Sequence, residues 1–148
     1  MKLEGIRVID LSVFLPGPYL TLAMADHGAE VIKVEPAGEG DPGRHIGLSD
    51  GPSTVFFRNL NRGKKSVVLD LKDAAQREAL LSLCESADVF VESFRPGVVD
   101  RLGVGYGAVR ARNPRIATAR SAPSDRTANG AAGRRMTSHW KPKPALSA

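Results

Sequence analysis

The chain reads as an α/β domain, a mainly parallel sheet with flanking helices, and three features predict this. Short β-branched runs recur at residues 6–11, 31–35, 66–71 and 89–92. Stretches rich in Ala and Leu separate them and start and stop on identifiable residues. The interval between the first two runs suits a right-handed βαβ crossover, which parallel neighbours require.

Ile6, Val8, Ile9 and Leu11 make a compact strand bounded by Gly5 and Ser12. Pro18 near a first helical turn and Gly28 just past the last bracket a helix over 19–27, because proline is pre-organised for a helix start and glycine for the residue after its end. Val31, Ile32 and Val34 carry the second strand. Residues 36–53 interrupt regular structure with Pro36, Gly38, Gly40, Pro42, Gly43, Gly47, Gly51 and Pro52. A long loop inside a compact domain is more often functional than idle. Beyond the third strand, Asp73 is placed to cap a helix over 74–86 in which Ala75, Leu80, Leu83 and Cys84 share a core-facing stripe. The fourth strand and a short helix over 106–111 complete a Rossmann-like pattern.

A length of 148 residues suits one domain with a real core. The net charge of +5 is unevenly spread. Residues 1–116 carry 15 basic and 15 acidic side chains. The excess lies in 117–148, where Arg120, Arg126, Arg134, Arg135, Lys141 and Lys143 meet Asp125 alone. That segment has no Val, Ile or Phe and follows neither a strand nor a helix period. It is expected to be a disordered basic tail, which divides the chain into 1–116 and 117–148. Cys84, the single cysteine, excludes an internal disulfide and a multi-cysteine zinc site. There is no signal-like start and no run of 18 apolar residues, so a cytoplasmic setting is the default expectation.

Ligands of open parallel sheets lie beyond the carboxyl ends of the strands, and four segments of this chain converge there. Residues 13–18 lead into a helix N-terminus, whose amides suit a phosphate or carbonyl oxygen; the plainer alternative is a turn that only starts a helix. Asn59, Asn61, Arg62, Lys64 and Lys65 offer charge-assisted contacts to a phosphorylated ligand, or form a solvated basic turn. Leu69, Asp70 and Leu71 deliver Lys72 to the same rim. Ser93, Phe94 and Arg95, with Asp100 and Arg101 following, offer an aromatic face for a purine and cations for phosphate; either arginine could instead pair with Asp100 or Glu92. His27 ends a helix, where its charge is favoured, and His45 in the glycine-rich loop lacks a partner acid or nucleophile at a recognisable spacing. Cys84 is expected to be a small buried hydrophobe. No metal ligand set and no catalytic residue is assigned.

Together these segments resemble the amino-terminal portion of class III CoA-transferases, the family that includes formyl-CoA and carnitine CoA-transferases and the related α-methylacyl-CoA racemases. The matching text is GIRVIDLSVFLPGPYLTLAMADHGAEVIKVEPAGEGDPGR, NRGKKSVVLDLK, ADVFVESFRPGVVDRLGVGY and NPRI, about residues 4–116. The resemblance implies a CoA-binding α/β fold and interlocked homodimers. It also implies coenzyme A or acyl-CoA as substrate rather than as a permanently bound cofactor, with a carboxylic acid as the other substrate. Carried over by motif, Leu15 and Pro16 approach the thiol-end arm of CoA. Leu69, Asp70, Leu71 and Lys72 line the nucleotide, as do Ser93, Phe94, Arg95 and Arg101, while Asn61, Arg62 and Lys64 support the rim. Some members carry Arg after the strand-ending Glu; Pro36 stands here, so one phosphate contact lacks its counterpart.

In the family's transferases an aspartate attacks the acyl-CoA carbonyl, giving a mixed anhydride and then an aspartyl-CoA thioester; the racemases use an acid/base pair that includes the His of a His-Asp motif. In family order the aspartate lies downstream of residue 116. There the family continues in the style of VYCALSAFG, and the tail ATARSAPSDRT looks unrelated. Read one nucleotide out of register, residues 117–124 permit Tyr-Cys-Ala-Leu-Ser-Ala-Phe-Gly, 125–127 permit Pro-Asp-Gly, and 135–137 permit His-Asp-Ile. Met136 has only the codon ATG, which supplies the G that the restored aspartate codon needs. A frame shift is therefore expected. The sequence leads to an amino-terminal fragment of an acyl-CoA transferase, inactive as this chain, with a racemase-like fragment or a stand-alone nucleotide-binding module as alternatives. Neither nucleic acid nor membrane is expected as a partner, because residues 1–116 are neutral.

Overall fold

A computed structural model describes residues 1–49 and 51–121 of the chain. Five parallel strands form one sheet: β1 (Arg7–Leu11), β2 (Glu30–Glu35), β3 (Lys65–Val68), β4 (Val89–Glu92) and β5 (Ala117–Arg120). They stand in the order β3-β2-β1-β4-β5. The chain steps outward from β1 to β3, then returns to the other side of β1. Right-handed crossovers consequently send the helices of the two halves to opposite faces.

On one face lie α1 (Pro16–Asp26) and α2 (Val55–Asn61), on the other α3 (Ala74–Glu85), α4 (Val98–Arg101) and α5 (Tyr106–Arg112). Strand alternation sorts the side chains between them. Ile9, Leu11, Val34 and Phe90 pack with Leu80, Leu81, Cys84 and Val109 in the larger core, and Val8, Val31 and Val91 pack with Met24 and Ala25 in the smaller. Asp73 caps α3 as expected, its carboxylate accepting from the Gln76 amide at 2.9 Å. The buried stripe is Leu80, Leu81 and Cys84. Leu83 packs partly buried against the same core, while Ala75 is exposed. Cys84 is fully buried, and burial pushes its thiol up to about 12, an inert sulfur.

Besides the short helix α4, to which the sequence assigned no element, three elements differ from the sequence reading. Helix α1 begins at Pro16, earlier than expected, with both prolines in its first turn. Helix α2 occupies residues 55–58, to which the sequence assigned no element, and the start of the basic turn at 59–61; Thr54 supplies its cap, accepting from the Phe57 amide at 3.2 Å. The third difference is β5, which lies in the segment expected to be disordered. Its amides continue the ladder, from Ala117 to the Asp88 carbonyl and from Ser121 to that of Glu92, both at 2.9 Å. Parallel pairing is a backbone interaction, and the open edge of β4 offers it to alanine and threonine as readily as to valine. The sheet thus runs past Ile116; the remainder of the tail lies outside the described residues.

Candidate functional site

The carboxyl ends of β1 and β2 rest on buried charge. Strand positions that face α1 should be apolar, yet Asp10, Lys33 and Glu35 occupy three of them, each at most 1% exposed. Burying an ion is costly unless it is paired and hydrogen-bonded, and all three are. Asp10 accepts from the Ser12 amide at 2.9 Å, the Ser12 hydroxyl, and the Thr21 hydroxyl at 2.5 Å. Lys64 reaches it from the α2–β3 turn at 3.2 Å and also donates to the Pro18 carbonyl, Thr21 Oγ1 and Asn61 Oδ1. Burial lowers the Lys64 ammonium to about 8 despite the opposing pull of Asp10. Lys33 pairs with Asp41 at 2.7 Å and donates to the Ser12 carbonyl at 2.8 Å.

Glu35 anchors the glycine-rich loop. It takes both arms of Arg44 at 2.7 and 2.8 Å, the Ser66 hydroxyl at 2.6 Å and the Asp41 amide at 3.0 Å. Burial works to raise this carboxyl, but the Arg44 fork, Ser66 and the Asp41 amide outweigh it and hold it at about 2. Arg44 also lies over the Phe57 ring at 3.9 Å, and Thr54 donates to the Gly43 carbonyl at 2.7 Å. The expected loop is therefore strapped to β2 and α2 by identifiable bonds. His45 is exposed beside the Glu39 carbonyl, and His27 is exposed after α1.

The strand order reverses between β1 and β4, which is where open α/β sheets receive ligands. Ser93 Oγ closes this corner by accepting the Val13 amide at 2.9 Å. Phe14 follows at φ +64°, the only non-glycine left-handed residue among those described. Gly17 is required for close approach: a Cβ there would lie 2.1 Å from Ser12 Cβ. Sequence reasoning did not find Phe14, because a left-handed phenylalanine leaves no compositional trace.

Leu15 and Pro16 sit at this corner, both exposed, at the start of α1. Ser93, Phe94 and Arg95 follow β4 directly, with Phe94 partly buried against the larger core and Arg95 and Arg101 exposed. Leu69, Asp70, Leu71 and Lys72 follow β3, three strand spacings or about 14 Å from β4. Leu69 is buried in the core and Leu71 packs against it, so their side chains support the rim from beneath. Asp70 accepts from the Lys72 amide at 3.0 Å, and Lys72 is exposed.

The cations of the basic turn are all engaged by carboxylates of the chain. Lys64 is buried on Asp10, Arg62 pairs with Asp26 at 2.6 Å, and Lys65 pairs with Glu30 at 2.5 Å. Asn61 donates to the Phe57 carbonyl and accepts from Lys64. Lys64 closes the fold on a buried carboxylate, whereas Arg62 and Lys65 form exposed pairs. The helix start also differs from expectation, since Pro16 and Pro18 bring no amide hydrogens to it.

Residues 3–122 match the sequence model of CoA-transferase family III. The chain belongs to that family. It is 46% identical over 118 residues to the acetyl-CoA:oxalate CoA-transferase of Acetobacter aceti, covering 80% of this chain and 30% of that protein. To the succinyl-CoA:mesaconate CoA-transferase of Haloarcula hispanica it is 44% identical over 116 residues, 76% of this chain and 29% of the relative. The crystal structure of a CAIB/BAIF family protein from Brucella suis superposes with a TM-score of 0.75 at 35% identity, covering 80% of this chain and 32% of that one. The chain thus spans about 30% of the length of the curated relatives it matches. Among the described residues no helix is long and apolar enough to cross a membrane, and no group of His, Cys, Asp and Glu could hold a metal ion.

Two substitutions test this family III site. The folded-state pKa of Glu35 lies below its ordinary value of 4.5, so its stabilisation is complete above that value and is lost as pH falls toward 2. Glu35→Gln should cost at most about 3 kcal/mol at pH 7, and urea unfolding of the two proteins should converge between pH 4.5 and 2. Gly17→Ala should destabilise the chain by roughly 2 kcal/mol or more, because the added methyl meets Ser12 rather than a flexible chain end. An alanine variant as stable as the parent in the same titration would contradict the close approach.

Proposed function

We propose that the chain is the coenzyme-binding amino-terminal portion of an enzyme that transfers CoA between carboxylic acids. The observation that carries this reading is the β1/β4 switch point of a family III chain, with Leu15 and Pro16 on one side and Ser93, Phe94 and Arg95 on the other. Relatives named for CoA transfer to oxalate and mesaconate favour transfer over racemisation. In this reading Arg95, Arg101 and Lys72 hold phosphates, Phe94 meets the adenine, Asp70 and the backbone of Leu69 and Leu71 line the nucleotide, and Leu15 and Pro16 guide the thiol arm. CoA and acyl-CoA come and go as substrates, with a carboxylic acid as the other substrate and an interlocked homodimer as the assembly of the full enzyme.

The transfer itself needs a carboxylate that attacks the thioester carbonyl and expels CoA thiolate, then is released as the thiolate exchanges partners. None of the residues assigned here does this. In this reading the 148-residue chain binds CoA without turning it over, and a frame shift is proposed beyond Ile116, with the family match running on to residue 122. Resequencing the gene across the codons for Arg115 to Ser121 tests the frame shift; bases that cannot yield the restored text overturn it.

Calorimetric titration of the purified chain with CoA tests the binding. Binding of CoA but not NAD is expected, with Arg95→Ala and Arg101→Ala each weakening it about tenfold through loss of a charge-assisted contact. Equal binding of NAD would favour a general nucleotide module. Turnover of acyl-CoA above background would refute the inactive reading.

A further inference from the structure

Glu92 is the last residue of β4 and is only 7% exposed. Parallel register sets it level with Leu11 at the end of β1 and with Arg120 at the end of β5. It lines a cleft with Asp100 of α4 and Tyr106 of α5, both of which are exposed. A carboxylate buried to this degree has to be satisfied by donors of the chain. Its two oxygens divide that task. Oε2 accepts from the Phe94 amide at 2.8 Å, and Oε1 accepts from Arg120 Nε at 3.2 Å.

Arg120 completes a ring of contacts, because its Nη2 donates to the Phe94 carbonyl at 3.2 Å. One ion pair therefore holds both backbone groups of Phe94, the N–H through Glu92 and the C=O through Arg120. Two further bonds tie this clamp to its surroundings. The Ser121 amide donates to the Glu92 carbonyl at 2.9 Å, which keeps Arg120 beside β4. One residue before Phe94, Ser93 Oγ accepts from the Val13 amide across the corner. The Phe94 carbonyl belongs to the planar peptide unit that leads into Arg95. A bond to that oxygen constrains the direction in which the Phe94 ring and the Arg95 side chain leave the sheet.

We propose that Arg120 is a positioning residue for coenzyme binding: with Glu92 it clamps the Phe94 backbone and so sets Phe94 and Arg95 for a ligand at the β1/β4 switch point. The proposal rests on the CoA-binding reading above, in which those two side chains meet the nucleotide. Arg120 acts through Phe94 rather than on the ligand. It lies outside the motifs that carry the family resemblance, and the family text restored from residues 117–124 permits leucine at its position. Leucine donates no hydrogen bond, so the clamp belongs to the chain as translated. The Arg120 side chain is 44% exposed, and solvent weakens its pairing accordingly.

The test combines amide hydrogen exchange with calorimetric titration by CoA, on the full 148-residue chain and on Arg120→Leu, Glu92→Gln and the double variant. Glutamine keeps the volume of Glu92 but offers one neutral acceptor where two donors converge, so either substitution opens the clamp. Each single variant should lower protection of the Phe94 amide about fivefold, leave the amides of α3 unchanged, and weaken CoA binding about fivefold. The losses should not multiply: the double variant should bind CoA within about twofold of the weaker single variant, because one device is broken twice. The Ser121 amide reports whether β5 persists; if it opens in Arg120→Leu, Glu92→Gln decides. Unchanged Phe94 protection, equal loss in α3, multiplied losses, or CoA affinity unmoved by the variants overturns the proposal and leaves the CoA reading standing. Absence of CoA binding by the parent chain overturns both.

Discussion

The placement of the site depends on the Asp10–Lys64 pair and the hydroxyls and carbonyls that complete it. Asp10 is the last residue of β1 that faces α1, and Lys64 arrives from 54 residues further along the chain. Between them they gather Ser12, the Pro18 carbonyl, Thr21 and Asn61. One buried ion pair thus ties the end of β1, the first turns of α1 and the end of α2. An aliphatic pair of similar volume could be equally stable, because desolvation consumes much of the Coulombic attraction. What the ions add is directionality: each bond fixes the orientation of a backbone segment at the corner where β1 and β4 part.

The same logic extends across β2. Lys33 and Glu35 hold the glycine-rich loop through Asp41 and Arg44, so a segment with little apolar content is fixed by charge. The cores on the two sides of the sheet differ accordingly. Under α3 and α5 the contacts are mainly aliphatic and aromatic, with the buried Glu92 at the carboxyl end of β4 paired to Arg120. Under α1 they are apolar at the amino ends of the strands and ionic at the carboxyl ends. Polar groups concentrate at the carboxyl ends of β1 and β2, yet they face one another. They position the rim, whose exposed residues are Phe14, Leu15, Lys72, Arg95 and Arg101.

Much of this was legible in the sequence. Four strands, the Asp73 cap and the buried Cys84 followed from β-branched runs, a local capping pattern and helical spacing. The segments beyond the strands pointed to the rim, and their ordered motifs to the family. What escaped was long-range. The spacing NRGKK says that cations are present but not that Asp26, Glu30 and Asp10 neutralise them, since those partners lie 36, 35 and 54 residues away. Helix α2 was hidden because its seven residues are too few for a period and its Thr54 cap lies beside Pro52 and Ser53. Strand β5 was hidden because its pairing comes from β4 rather than from its own side chains.

Amide hydrogen exchange on the parent chain and a Lys64→Met variant tests the positional role of the ion pair most directly. Methionine fills the volume of the lysine stem without its charge, leaving Asp10 with its hydroxyl and amide donors alone. The account predicts that the Ser12 and Val13 amides, bonded to Asp10 and Ser93, lose protection in the variant while the amides of α3 keep theirs. Equal loss across α3 and the corner would mean that the pair serves global stability, and unchanged protection at Ser12 and Val13 would mean that it positions nothing.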